Sequence, residues 1–135
     1  MVVVSTLAQT ETQRIDGCEP ADEIRIIDEF FDREWVHPED TSSVIAKIAR
    51  SLCRDHDIAN LDAVHVATAV STNCRAFLTN DGVAKKKRQP LLPLDNKIRL
   101  LDGTSLRIMT PEQYHQMGAL NQATLFTQPK PDAKA

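Results

Sequence analysis

The stretch that decides the fold runs Leu61-Asp62-Ala63-Val64-His65-Val66-Ala67-Thr68-Ala69, then through Ser71 to Arg75 into Ala76-Phe77-Leu78-Thr79-Asn80-Asp81-Gly82. Asn60 is a suitable N-cap, which puts Asp62 in a first helical turn, where the helix dipole and unsatisfied N–H groups favour negative charge. Ala63, Val66, Ala67 and Val70 form the apolar stripe of that helix. Ala76-Phe77-Leu78 is too short and too uniformly apolar for a surface helix, and predicts a strand buried on both faces and closed by the turn chemistry of Asn80-Asp81-Gly82. Asp62 thus opens a helix and Asp81 closes a strand. In α/β proteins these two kinds of position share one rim, where ligands bind.

Working outward, strand and helix alternate. Val2 to Val4 predicts a strand, and Ser5 to Ile15 a helix carrying Glu11 and capped by Ser5 or Thr6. Ala21 to Glu34 predicts a second helix with a buried stripe of Ile24, Ile27 and Phe31. Trp35-Val36-His37 follows as a short strand stopped by Pro38. Thr41 to Asp55 is patterned as a helix, with Val44, Ile45, Ile48, Ala49, Leu52 and Cys53 on one side. Residues 83–104 read as an irregular excursion, with a small hairpin turning at Asp102-Gly103. Leu106 to Met109 is a last strand, and Thr110-Pro111-Glu112-Gln113 opens a helix with a capping box. The alternation implies an α/β architecture with a mostly parallel sheet.

The segment Asp62-Ala63-x-His65-x-Ala67-Thr68-Ala69, with Thr79-Asn80-Asp81 placing a second acid 19 positions after the first, resembles the second half of a PIN domain. Glu11, on the helix after the strand-like Val2-Val3-Val4, matches that family's helical Glu. The resemblance runs from about Val2 to Tyr114. It implies a three-layer α/β/α fold over residues 1–128, a metal site formed by Glu11, Asp62 and Asp81, and Mg²⁺ or Mn²⁺ as cofactor. The implied activity is that of a toxin-like endoribonuclease with RNA as substrate, a cognate antitoxin and a homodimer as partners. Nothing precedes Val2 except Met1, so the family's first strand and its metal-binding Asp have no counterpart in this sequence. The reading is therefore of an N-terminally truncated PIN-like domain with impaired catalysis. Its alternative is a catalytically inactive fragment acting as a binding or scaffold module, or a non-functional product.

Each acid also has an ordinary reading by itself: Asp62 as a first-turn stabiliser, Asp81 as a turn residue before Gly82, Glu11 as a solvated helix residue. Their joint order is what points to a site. Three carboxylates brought together repel one another and shift their pKa values upward, a conflict that a hard divalent cation removes. Thr79 and Asn80 are placed to orient water or phosphate, or simply to shape the turn. His65 lies three positions after Asp62 on the same helix face, in reach of the site or else a satisfied, partly buried histidine.

Charge is distributed unevenly about a net of −3. Residues 1–84 hold 7 basic and 15 acidic side chains (net −8), and residues 85–107 hold 7 basic and 2 acidic (net +5). Lys85, Lys86, Lys87 and Arg88 begin the basic block just after Asp81, where they would draw an RNA backbone towards the acids. The bland reading of the same run is a solvated loop. With 4% aromatic residues, a base-stacking platform is not expected.

One core is expected from 135 residues of which 41% are hydrophobic. Cys18, Cys53 and Cys74 are isolated and odd in number, which argues against a disulfide framework or zinc site and suits a reducing cytoplasm. No stretch approaches the roughly 20 apolar residues that span a bilayer, so no membrane association is expected. Residues 129–135 predict a disordered tail.

Overall fold

The computed structural model describes residues 1–12, 14–82 and 88–118. Strand β1 (Val2–Ser5) runs directly into α1 (Thr6–Glu11), followed by α2 (Pro20–Phe31), β2 (Val36–Glu39), α3 (Ser43–His56), α4 (Asn60–Ser71) and β3 (Ala76–Leu78). A 3-10 turn at Leu92–Leu94 precedes β4 (Arg107–Met109), and α5 spans 111–118. The protein mixes helices with short parallel sheets, as the alternating sequence pattern requires. Among the described residues there are two such sheets, β1 with β2 and β3 with β4, each of two strands. Val2 pairs with Val36 and Ser5 with Glu39 in the first, and Ala76 with Arg107 and Leu78 with Met109 in the second.

The core lies around α4. Ala63, Val66 and Ala67 are fully enclosed, and Thr68, Ala69 and Val70 are nearly so. Alanine at 63 and 67 lets neighbouring elements approach the helix closely, and α3 packs there through Ile45, Ala49 and Leu52. Ile58, Leu91, Leu94, Ile98, Leu100, Leu106 and Ile108 close the other side. Both β1 and β3 pack against α4, so this helix bridges the two sheets. No described helix is long and apolar enough to cross a membrane.

Helix ends follow their capping chemistry. The Ser5 hydroxyl accepts from the Leu7 N–H and that of Ser42 from the Ile45 N–H, both at 3.2 Å. Thr110 and Gln113 form the expected reciprocal box at 2.9 and 3.1 Å. At Asp102-Gly103 the expected reversal is present: Gly103 has φ +86°, and Arg99 bridges Ser105 in antiparallel sense.

Several sequence expectations are corrected. Helix α1 stops at Glu11, because the Thr12 backbone turns extended (ψ 92°) while its hydroxyl joins its N–H on the Ala8 carbonyl. Helix α2 has no buried residue, and Ile24 is 65% exposed; periodicity identifies an apolar face but not what covers it. Pro38 lies inside β2, paired with Val4, instead of ending the strand. The Val36 N–H turns away from β1 to the Arg33 carbonyl, so alternation puts the Pro38 nitrogen on the same outer edge, where no donor is needed. Ala59, not Asn60, is the N-cap of α4, and Asn60 instead accepts from the Cys53 thiol at 3.6 Å. Strand β3 is not buried on both faces: Phe77 is half-buried and Leu78 is 44% exposed, since among the described residues β3 has a neighbour on one side only.

Candidate acidic site

Glu11 is the last residue of α1, Asp62 lies in the first turn of α4, and Asp81 follows β3 by three residues. Three separate elements therefore deliver these acids. The Asp62 carboxyl, half-buried, is pushed above its ordinary value by burial and by the negative charge of Asp81, with a smaller push from Glu11. The charge of His65 opposes this shift. The other two expected acids thus both act on Asp62.

His65 is the residue that sequence reasoning left open between the site and an ordinary, partly buried histidine. Its Nε2 lies 2.5 Å from Glu11 Oε1, with the imidazole largely enclosed. The i, i+3 spacing from Asp62 was the available signal. The long-range partner, 54 positions away, was not readable from spacing.

Asp81 is held from several directions. Its N–H donates to Thr79 Oγ1 at 3.1 Å, and its Oδ2 accepts from the Leu91 N–H at 3.2 Å. Its carbonyl accepts from the Leu92 N–H at 2.9 Å. Thr79 thus shapes the Asp81 turn and also lines the adjoining groove, while Asn80 is exposed. Arg88 makes an exposed ion pair with Asp57 at 3.1 Å, on the connection between α3 and α4. Lys85, Lys86 and Lys87, and the expected tail at 129–135, lie outside the described residues.

Asp62 and His65 also line a groove of about 600 Å³ to which β1 and β3 contribute. Chemically, the acids offer hard oxygen donors of the kind Mg²⁺ and Mn²⁺ prefer. Geometrically, among the described residues no three His, Cys, Asp or Glu side chains are gathered closely enough to hold a metal ion. One oxygen of Glu11 is engaged by His65 and one of Asp81 by a backbone amide. What the arrangement presents is an acidic rim, not a closed three-donor cage.

No family model, curated protein or solved structure matches the chain.

Proposed function

We propose that the protein is a PIN-type endoribonuclease dependent on Mg²⁺ or Mn²⁺, toxin-like in character and weak in activity. The observation that carries this reading is the approach of acids from three elements to the start of α4: Glu11 reaches His65 at 2.5 Å, and Asp62 is raised first by burial and then by the charge of Asp81. Asp62 and Asp81 are the residues that would hold the ion, and Glu11 would support it. Mg²⁺ commonly takes only one or two protein carboxylates together with waters and substrate phosphate oxygens, so RNA would complete the set of donors. The bound ion would supply a hydroxide and offset charge on the transferring phosphate. His65 orients the Glu11 carboxylate, and Thr79 fixes the turn that presents Asp81. Asn80 and the basic run from Lys85 to Arg88 are proposed to meet the RNA backbone. A protein antitoxin and a second copy of the chain are the partners that go with this reading.

A second reading is a catalytically inactive PIN-like module that binds without cleaving. It draws on the engagement of Glu11 by His65 and the lack of a three-donor group among the described residues.

Incubation with labelled single-stranded RNA in Mn²⁺ or Mg²⁺ separates them. The enzyme reading expects slow cleavage that chelator abolishes and that Asp62→Asn and Asp81→Asn each remove without altering the fold by circular dichroism. Cleavage unaffected by either substitution contradicts it. RNA retention without cleavage at any metal concentration favours the inactive module.

A further inference from the structure

Backbone direction in the two sheets is set by hydrogen bonds at their ends. The Val2 N–H donates to the Trp35 carbonyl at 2.7 Å, so Val2 and, by alternation, Val4 turn their amide groups towards β2. Val3 therefore turns its own away. In the second sheet, the Arg107 N–H donates to the Arg75 carbonyl at 3.1 Å and the Thr79 N–H to the Met109 carbonyl at 3.0 Å. Arg75, Phe77 and Thr79 thus face β4, and Ala76 and Leu78 face the opposite edge. The same alternation is visible on β4, where the Ile108 N–H leaves the ladder for Asp95 Oδ1 at 2.8 Å.

These two outward edges line one groove. Val3 and Val4 stand on one wall, Ala76, Phe77 and Leu78 on the other, and Ala69 of α4 also contributes to the lining. The acid, histidine and arginine of its lining are Asp62 and His65 in α4 and Arg75 just before β3. The chain leaving β1 reaches Glu11, which contacts His65 of α4 at 2.5 Å, and the chain leaving β3 reaches Asp81, which is hydrogen-bonded to the groove-lining Leu91 and acts on Asp62, so both strands run with their carboxyl ends towards the start of α4. The edges are consequently parallel to one another.

We infer that this groove is a strand-addition site, which takes an extended, uncharged, apolar segment of a partner polypeptide between β1 and β3 and parallel to both. Size agrees with that occupant. A four-residue strand with ~3.3 Å rise per residue, ~4.8 Å lateral spacing and ~10 Å layer thickness fills about 630 Å³, and the groove measures about 600 Å³. Polarity agrees as well: apart from Ser5, the strand residues that line it are Val, Ala, Phe and Leu, and Val2 and Leu78 are 42% and 44% exposed. Natural edge strands are usually blunted by charge, proline or cover, and neither β1 nor β3 contains a charged residue or a proline. An inserted strand would use alternate residues to bond Val3 on one side and Ala76 and Leu78 on the other, joining the two sheets into one.

The test uses the full chain and a labelled eight-residue peptide with four central Val and Ile residues between polar flanks. Fluorescence anisotropy should show saturable binding, at least tenfold weaker for the same peptide N-methylated at alternate central residues. Hydrogen exchange at the Val3, Ala76 and Leu78 amides should slow at least tenfold on binding, with little change at Phe77 or Thr79. Leu78→Pro removes one groove-facing donor while leaving the β4 ladder its own, and should weaken binding tenfold at unchanged circular dichroism. If that variant misfolds, the N-methylated peptide decides. Absence of binding, equal binding of the N-methylated peptide, or binding without slowed exchange overturns the inference. So does a free chain whose groove amides are already protected in a concentration-dependent dimer, since a second copy would then be the occupant.

Discussion

His65 Nε2 and Glu11 Oε1 lie 2.5 Å apart and tie the carboxyl end of α1 to the first turns of α4. This contact brings an acid from the first quarter of the chain to the helix that carries Asp62.

The contact yields a titration prediction. Because His65 lowers the Asp62 pKa while Asp81 and Glu11 raise it, His65→Gln should move the Asp62 carboxyl upward. Asp81→Asn should move it downward by more than Glu11→Gln does. Carboxyl-carbon NMR across the acid range reads all three shifts, and an unmoved Asp62 in Asp81→Asn would show that the two acids do not share a field.

Stability should fall with rising pH on account of Asp62. A carboxyl whose folded pKa is raised binds its proton more tightly in the folded state, so its contribution is fully present below the unfolded value of about 3.8. It is lost as pH rises through the folded value. Asp62→Asn removes the ionised form, and is expected to make the protein more stable at neutral pH and to flatten the pH dependence of the denaturant midpoint. A less stable Asp62→Asn at pH 7 would contradict this.

Asp95 works in the opposite sense. Burial pushes its carboxyl up, but hydrogen bonds from Arg107 Nε at 2.9 Å and the Ile108 N–H at 2.8 Å outweigh that and hold it below its ordinary value. Its contribution is present above about 3.8 and is lost as pH falls through the lower folded value. Asp95→Ala should destabilise by about 1–3 kcal/mol at pH 7, chiefly by freeing the β4 amide, with the difference shrinking in acid. Urea melts at pH 7 and pH 3 give the comparison.

The core can be checked against the periphery. Ile45 is 1% exposed and Ile24 65%. Ile45→Ala is expected to cost about 2–5 kcal/mol, and Ile24→Ala less than about 0.5 kcal/mol. Comparable losses at both positions would mean that the α2 stripe is covered after all.

Legibility in the sequence divided along physical lines. The α3 and α4 faces were readable, apart from Val44, which is 57% exposed, because their apolar spacing matches what the core encloses at Ile45, Ala49, Ala63, Val66 and Ala67. Caps at Ser5 and Thr110 were readable because a hydroxyl acts on its own neighbours. Pro38 within β2 and the exposure of Leu78 were not, since both depend on which strand edge has a neighbour, a fact of assembly and not of local pattern. For the site, Glu11, Asp62 and Asp81 were read in advance as one group; in the structure Asp81 and Glu11 both act on Asp62, but no three such side chains gather closely among the described residues. The pairing of Glu11 with His65 and the engagement of Asp81 by the Leu91 amide required the tertiary structure.

The central claim, that Asp62 and Asp81 together receive a divalent cation, is tested most directly by titrating Mn²⁺ into isotopically labelled protein and following paramagnetic broadening. The account predicts broadening centred on the Asp62, His65 and Asp81 amides, saturable, displaced by Mg²⁺, and lost in both Asp62→Asn and Asp81→Asn. Broadening that spares these amides, or that persists unchanged in both variants, would contradict it.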